Sequence, residues 1–261
     1  MIMQFKVQRK KRVKFFGYVL LFILAPMVFL MACQSAPEKE EWITLFNGEN
    51  LDGWDLKITG YELNDNFGNT FRVEDGLLKV SYDEYDEFDG RFGHIFYNQP
   101  FSHYKLRVEY RFVGEQVPGG PGWAFRNNGI MFHAQSAQTM ELYQDFPVSV
   151  EAQMLGGDGV NERPNGSVCT PGTNVKIAGE RRFEHCINSN SRTFHGDDWV
   201  TFELVVYGDS IVHHILEGDT VMTYGKLQLE DGTPLSKGYI ALQAESHPTH
   251  FRKVEILNLQ P

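Results

Sequence analysis

The sequence predicts an all-β protein, an antiparallel β-sandwich or jelly roll. Three observations predict it. His103 to Arg111 alternates without a fault, with Tyr104, Leu106, Val108 and Tyr110 on one side and His103, Lys105, Arg107, Glu109 and Arg111 on the other. A period of two over that length is a half-buried strand. Turn residues also fall at short intervals between apolar runs, as many short strands require. Finally, no segment after residue 41 keeps a helical apolar period; the best helix candidate, Ala137 to Tyr143, is barely two turns.

The elements follow in order. Asp75-Gly76 between Phe71–Val73 and Leu77–Val80 is a hairpin signal. Glu217-Gly218-Asp219 between Ile211–Leu216 and Thr220–Tyr224 is a second. Thr201–Tyr207 and Lys253–Leu259 alternate more weakly, and Asp231-Gly232-Thr233-Pro234 is a turn cluster. Residues 114–126 form a Gly/Pro-rich loop, and 155–198 reads as irregular. Loops of that length in a compact domain commonly carry function. One domain is expected over 42–261.

Composition narrows the function. The chain has 261 residues, 42% hydrophobic and 22% charged, which is globular and neither disordered nor multi-span. A formal charge of -10 argues against nucleic acid as a partner. Walker A, GxGxxG, HExxH and GxSxG patterns do not occur, which disfavours nucleotide-binding, zincin and serine-hydrolase chemistry.

Residues 1–32 read as a lipoprotein signal peptide. Lys6, Arg9, Lys10, Lys11, Arg12 and Lys14 form a basic start, and Phe15 to Met31 is uncharged and apolar. The run ends in Leu30-Met31-Ala32-Cys33, the arrangement of a bacterial lipobox, so Cys33 is the expected lipidation site. Residues 33–41 then hold the lipidated Cys and a polar tether. The expected location is that of an exported bacterial lipoprotein, held in the periplasm or at the outer-membrane surface. The membrane is then a partner only through the N-terminal lipid anchor. Residues 1–32 hold six of the 24 basic residues and none of the 34 acidic ones, so the remainder carries a net charge of -16. Such a chain suits neutral partners such as sugars. Export lifts cytosolic redox limits, so Cys169 and Cys186, 17 residues apart, are expected to pair.

Three strand-like segments carry polar groups on one face. If Ile130 and Phe132 face the core, Met131 and His133 face away. If Ala152 and Met154 face inward, Glu151 and Gln153 are displayed together. With Ile240, Leu242 and Ala244 inward, Tyr239, Ala241, Gln243 and Glu245 face outward. A curved sandwich would gather Glu151, Gln153, His133, Gln243 and Glu245 in one groove. Imidazole, carboxylates and amides there grip sugar hydroxyls and move protons.

The blocks Leu45-Phe46-Asn47-Gly48-Glu49-Asn50-Leu51-Asp52-Gly53-Trp54 and Phe71-Arg72-Val73-Glu74-Asp75-Gly76-Leu77-Leu78 resemble the opening of the 3-keto-disaccharide hydrolase family. Asn128-Gly129-Ile130, Glu151-Ala152-Gln153, Gly238–Gln243 and Phe251–Ile256 follow in that family's order, so the resemblance covers 42–259. It implies a concanavalin A-like lectin/glucanase sandwich and cleavage of glycosides oxidised to a ketone at C3. The partner it implies is an oligosaccharide or glycoside substrate. The strand at Glu151 carries one carboxylate where glucanases of this fold carry several, which disfavours a two-carboxylate retaining mechanism.

A C3 ketone acidifies the C2 hydrogen, so elimination at C1 needs one base, one acid and support for the C3 oxygen. His133 and Glu151 are the expected base and orienting or protonating partner. Asn128, Gln153 and Gln243 are expected to hold hydroxyls, and Arg126 or Arg163 to stabilise negative charge. Trp54, Tyr97 and Trp123 are candidate stacking platforms. No cofactor is firmly implied, but Glu245, His247 and His250 are a candidate set for a divalent metal ion. The competing reading is a non-catalytic surface glycan-binding lipoprotein on the same fold.

Overall fold

The structure, a computed structural model, describes residues 41–260. The expected signal peptide, Cys33 and the expected tether through residue 40 lie outside the described residues.

The first strands are β1 (Ile43–Thr44), β2 (Trp54–Ile58), β3 (Phe71–Glu74), β4 (Leu77–Val80), β5 (Gly93–Phe101) and β6 (His103–Phe112). The middle of the chain supplies β7 (Asn127–Ala134), β8 (Val150–Leu155), β9 (Val168–Cys169), β10 (Thr173–Ile177), β11 (Glu180–Arg182) and β12 (Cys186–Ile187). The last are β13 (Val200–Tyr207), β14 (Ile211–Leu216), β15 (Asp219–Leu229), β16 (Gly238–Ala244) and β17 (Thr249–Asn258). They form a ten-stranded sheet, ordered β11-β10-β15-β14-β13-β6-β17-β4-β3 with β1 also on β17, and a seven-stranded sheet, ordered β12-β9-β8-β7-β16-β5-β2.

Alternation places the core between the sheets. Tyr104, Leu106, Val108 and Tyr110 of β6 are fully or almost fully buried, and Val206, Leu204 and Phe202 of β13 stand opposite the first three. The seven-stranded sheet answers with Ile95, Ile130, Phe132, Ala152, Met154, Ile240 and Leu242. Each large apolar side chain so buried contributes roughly 1.5–3 kcal/mol. Both expected hairpins form. Their central residues, Asp75 and Gly76 (φ 56° and 73°) and Glu217 and Gly218 (φ 50° and 89°), are left-handed, as a tight two-residue turn between twisted strands demands.

Two expectations need correction. The stretch 155–198 contains four short strands: β9 and β12 extend the smaller sheet, and β10 and β11 extend the larger. The helix candidate at Ala137 is a single 3-10 turn, Ala137–Thr139.

Strand β7 holds the departure that shapes the site. Tyr239 pairs with Ala134 and Ala241 with Met131, so the register slips between them. His133 absorbs the extra residue with φ 47°, a β-bulge. Met131, Ala134 and Ala241 therefore cluster on the outer face of the smaller sheet, while His133 turns to Tyr104 of the opposite sheet, ring centroids 6.2 Å apart. Gly238 accommodates the bulge: a Cβ there would stand 2.3 Å from the His133 carbonyl carbon.

Candidate active site on the outer face of the smaller sheet

The residues alternating with the core of β5, β7, β8 and β16 share one outer face. Gln243 of β16 pairs with His94 of β5, and Gly129 of β7 pairs with Gln153 of β8. Leu242 opposes Ile130, which brings Gln243 level with Gly129. Because Gly129 has no side chain, neighbouring side chains lie across it. A Cβ there would stand 2.3 Å from Glu151 Oε1 and 2.6 Å from Gln243 Oε1.

Loops roof this face. Residues 122–126 bring Trp123, and Phe146 comes from the segment before β8. The Cys169–Cys186 disulfide joins directly opposed residues of β9 and β12. Together they enclose a cavity of about 320 Å³ lined by Trp123, Asn127, Phe146, Glu151, Gln153, Glu245, His185, Pro171 and both half-cystines. Trp123 is 54% exposed and stacks on Phe92 at 5.9 Å with an interplanar angle of 11°. That leaves its other face to solvent or ligand.

Burial sets the charge state. The Glu151 carboxyl is pushed well above the usual carboxylate range, first by burial and then by the negative charge of Glu245, with the Gln243 amide acting the other way. Glu245 is pushed up to about 8 by burial, opposed by the Arg163 guanidinium. Two such carboxyls titrate as a pair, and near neutral pH the pair retains at least one proton. Burial pushes His94 down to about 3, so its imidazole is neutral. Both His94 ring nitrogens, both amide atoms of Gln243, Asn127 Oδ1 and Glu245 Oε2 are buried without a well-formed hydrogen bond. Six such atoms on one patch mark a place where polar partners are wanted.

Of the sequence-derived candidates, Glu151, Gln153, Glu245 and Trp123 line the cavity, and Gln243 lies beneath its floor. The others go elsewhere. His133 is displaced by the bulge, and its Nδ1 lies 3.0 Å from the Leu235 carbonyl oxygen, so it does not meet Glu151. Asn128 follows Ile130 inward: its amide donates to the Gln243 carbonyl at 2.8 Å, and its Oδ1 accepts from the Gly129 N–H at 2.8 Å. Trp54 is a core residue whose indole N–H donates to the Leu45 carbonyl. Tyr97 packs edge-on against it and stacks on Phe101. Arg126 donates to the Gly196 carbonyl and to Asp197 at 2.7 Å. Arg163 donates to the carbonyls of Phe125, Arg126, Gly156 and Trp123, so it clasps the 122–126 loop to the 156–163 segment. Its charge reaches Glu245, but backbone oxygens occupy its terminal nitrogens.

The candidate metal set is not assembled. His247 packs edge-on to Phe112 and Phe125, and His250 of β17 sits beside Arg111 at 3.5 Å in a cationic setting with Lys79 and Arg72. Among the described residues no three His, Cys, Asp or Glu side chains are grouped to hold a metal ion.

Sequence reasoning missed His94, Asn127 and Phe146. His94 sits in Gly93–Phe96, where every residue is buried and no alternation shows. Asn127 was available from the phase of β7, which sends Asn128 inward with Ile130 and leaves Asn127 outward. Glu245 reaches the cavity from β16, as its place in the expected groove implied, so a single carboxylate on β8 does not mean a single carboxylate in the site.

Two antiparallel sheets with a polar pocket on an outer face define a lectin/glucanase-type sandwich, the concanavalin A-like jelly roll. Solved structures agree at the level of fold. A "putative glycosyl hydrolase" from Parabacteroides distasonis aligns with a TM-score of 0.51 at 17% identity, covering 84% of this chain and 100% of its own. A second such structure from the same organism gives 0.51 at 18%, covering 85% and 95%. The exoplasmic/lumenal domain of VIP36, in a Ca2+/Man3GlcNAc-bound form, gives 0.51 at 11%, covering 86% and 90%. No curated protein matches the chain. The chain belongs to the 3-keto-alpha-glucoside-1,2-lyase-like domain family, whose sequence model matches residues 41–257.

Proposed function

We propose that the cavity cleaves glycosides carrying a ketone at C3, by proton abstraction from C2 and elimination at C1. The observation that carries this reading is the buried pair Glu151 and Glu245, which shares at least one proton beneath an exposed tryptophan. One ionised and one neutral carboxyl are the base and acid that the reaction needs. The ionised member takes the C2 proton, and the electron pair passes into the enolate of the C3 ketone. The C1–O bond then breaks as a C1=C2 double bond forms. The departing oxygen takes the proton of the neutral member. Readdition of water across C1=C2 turns the elimination into net hydrolysis. Asn127 and Gln153 face the cavity and hold hydroxyls and the C3 oxygen, and Trp123 and Phe146 cover the ring. Membership of the family supports the substrate class.

The carboxylate pair also favours a second reading, acid–base hydrolysis of unoxidised glycosides, which uses two carboxyls flanking C1. Proton NMR in heavy water separates them. Incubation of residues 34–261 with a 3-keto-glucoside is expected to release aglycone with deuterium at C2 or a vinyl signal. Glu151→Gln and Glu245→Gln each lower kcat by about 10²-fold or more. Turnover of cellobiose or laminaribiose without C2 exchange selects the second reading. Folded protein that binds sugar and turns over neither substrate makes it a glycan-binding module. The reading places this chemistry outside the cytoplasm, on a lipid-anchored protein; palmitate labelling lost in Cys33→Ser checks the anchor.

A further inference from the structure

The cavity at Glu151 does not stand alone. It shares Trp123 with a second cavity of about 260 Å³, lined by Gly122, Trp123, Phe125, Asp158, Asn161, Glu162 and Arg163. It shares His185 with a third of about 500 Å³, lined by Thr170, Gly172, Thr173, Asn174, Phe183, His185 and Glu230. The central cavity alone is at the small end of ligand pockets, roughly the size that one sugar ring requires. Each flank carries an exposed aromatic side chain: Trp123 is shared by the first two cavities, and Phe183, 78% exposed, lines the third.

The chemistry of the flanks is neutral to acidic. Arg163 is the cation lining the 260 Å³ cavity, and four backbone carbonyls take its terminal N–H groups. Asp158 is consumed locally, accepting from the Val160 and Asn161 N–H groups and from the Asn161 amide. Glu162 remains, and Glu230 plays the same part at the other end. Carboxylates and an amide beside exposed rings suit hydroxyls and sugar faces and repel anions.

We infer that the three cavities form one cleft that binds an uncharged oligosaccharide of at least three sugar units, with the reacting unit at Glu151 and Glu245 and a neighbour on each side. This rests on the proposal that the central cavity takes a sugar. It adds that the substrate is a neutral chain rather than a disaccharide or a uronic-acid glycan.

The test is binding, independent of turnover. Glu151→Gln protein would be titrated calorimetrically with cello-, laminari- and malto-oligosaccharides of one to four glucose units, and with an oligogalacturonate of matched length. The expected result is a Kd that tightens at least tenfold from one unit to three in one of the neutral series, with the oligogalacturonate bound at least tenfold more weakly. A Cβ at Gly122 meets nothing within 4 Å, so Gly122→Phe is chosen to fill one flank. In that background and in Phe183→Ala, the gain from one unit to three is expected to shrink. A Kd independent of chain length, absence of binding, or preference for the acidic chain overturns the cleft. If wild-type protein then still eliminates from a 3-keto-glucoside, the central-pocket reaction stands and only the extension falls.

Discussion

Gly129→Ala isolates the proposed acid–base pair from the fold. A Cβ at this position would stand 2.3 Å from Glu151 Oε1, 2.6 Å from Gln243 Oε1 and 2.8 Å from Glu151 Cγ. Ordinary contact begins near 3.4 Å, so the Glu151 carboxyl must retreat by about 1 Å. The backbone takes alanine without strain, because Gly129 is not among the positive-φ glycines. Relief is available too, since Glu151 opens on the 320 Å³ cavity. The overpacking cost therefore falls toward the lower end of about 1–3 kcal/mol, or several degrees in Tm. The functional cost is larger. A reacting group misplaced by about 1 Å loses about 10²-fold in rate. Initial rates of aglycone release from a 3-keto-glucoside, measured beside thermal melts, are expected to show that loss in kcat with the cooperative transition retained. Wild-type turnover by folded Gly129→Ala would mean that the Glu151 carboxyl is not a reacting group.

Other outcomes follow from the same geometry. Turnover is expected to rise as pH passes through about 8, where the pair first ionises, and pH–rate profiles check this. Stability runs the other way: the raised carboxyls hold protons in the folded state that the unfolded chain has released above about 4.3, so folding weakens between there and about 8. Glu245→Gln removes part of that slope, and Tm measured against pH should flatten on the alkaline side. Asn128→Ala leaves the Gln243 carbonyl and Gly129 N–H without their partner and is expected to cost about 1–3 kcal/mol in denaturant melts. Asn127→Ala should instead lower substrate affinity while the melt stays nearly unchanged. Reducing Cys169–Cys186, which closes a 17-residue separation, should cost about 3 kcal/mol by loop entropy and raise KM, because the bridge walls the cavity.

The sandwich was legible because alternation is written plainly in β6, and because Asp75-Gly76 and Glu217-Gly218 leave the chain only one way to turn. The site was legible in part. Glu151 with Gln153 and Gln243 with Glu245 are polar pairs at period two inside apolar strands, and that conflict with burial gave them away. What failed, failed where period two breaks down. His133 is the bulged residue at which β7 slips, and a bulge turns the side chains from that point on to the opposite face from the one a strict count gives. His94 lies in the Gly93–Phe96 part of its strand, buried on both faces, where counting yields no phase at all. Asn128 and Trp54 satisfy their polar groups against backbone N–H and carbonyl groups, and a sequence does not show whether a buried amide or indole is answered at home or awaits a ligand.

That last distinction is also the strongest argument that this face is built for a ligand. An unanswered buried polar atom costs about 1–3 kcal/mol, and native domains retain only about 5–15 kcal/mol in all. Six of them on His94, Asn127, Gln243 and Glu245, beside two carboxyls held above their ordinary range, draw heavily on that margin. Other buried polar groups of the same fold are answered: Asn165 donates to the Tyr110 hydroxyl at 2.7 Å, and His214 lies within 2.7–2.8 Å of the Tyr224 hydroxyl and the Gly166 carbonyl. A chain that satisfies its core this way could have placed apolar residues across β5, β7 and β16 at no loss to the sandwich, as Phe96, Met131 and Ala241 show one row away. The polar row thus gathers six unanswered atoms at one pocket while others are scattered singly or in pairs on Tyr104, Arg111, His133, Asn174 and His247, and a ring of hydroxyls with one ketone is the kind of ligand whose groups would offset it.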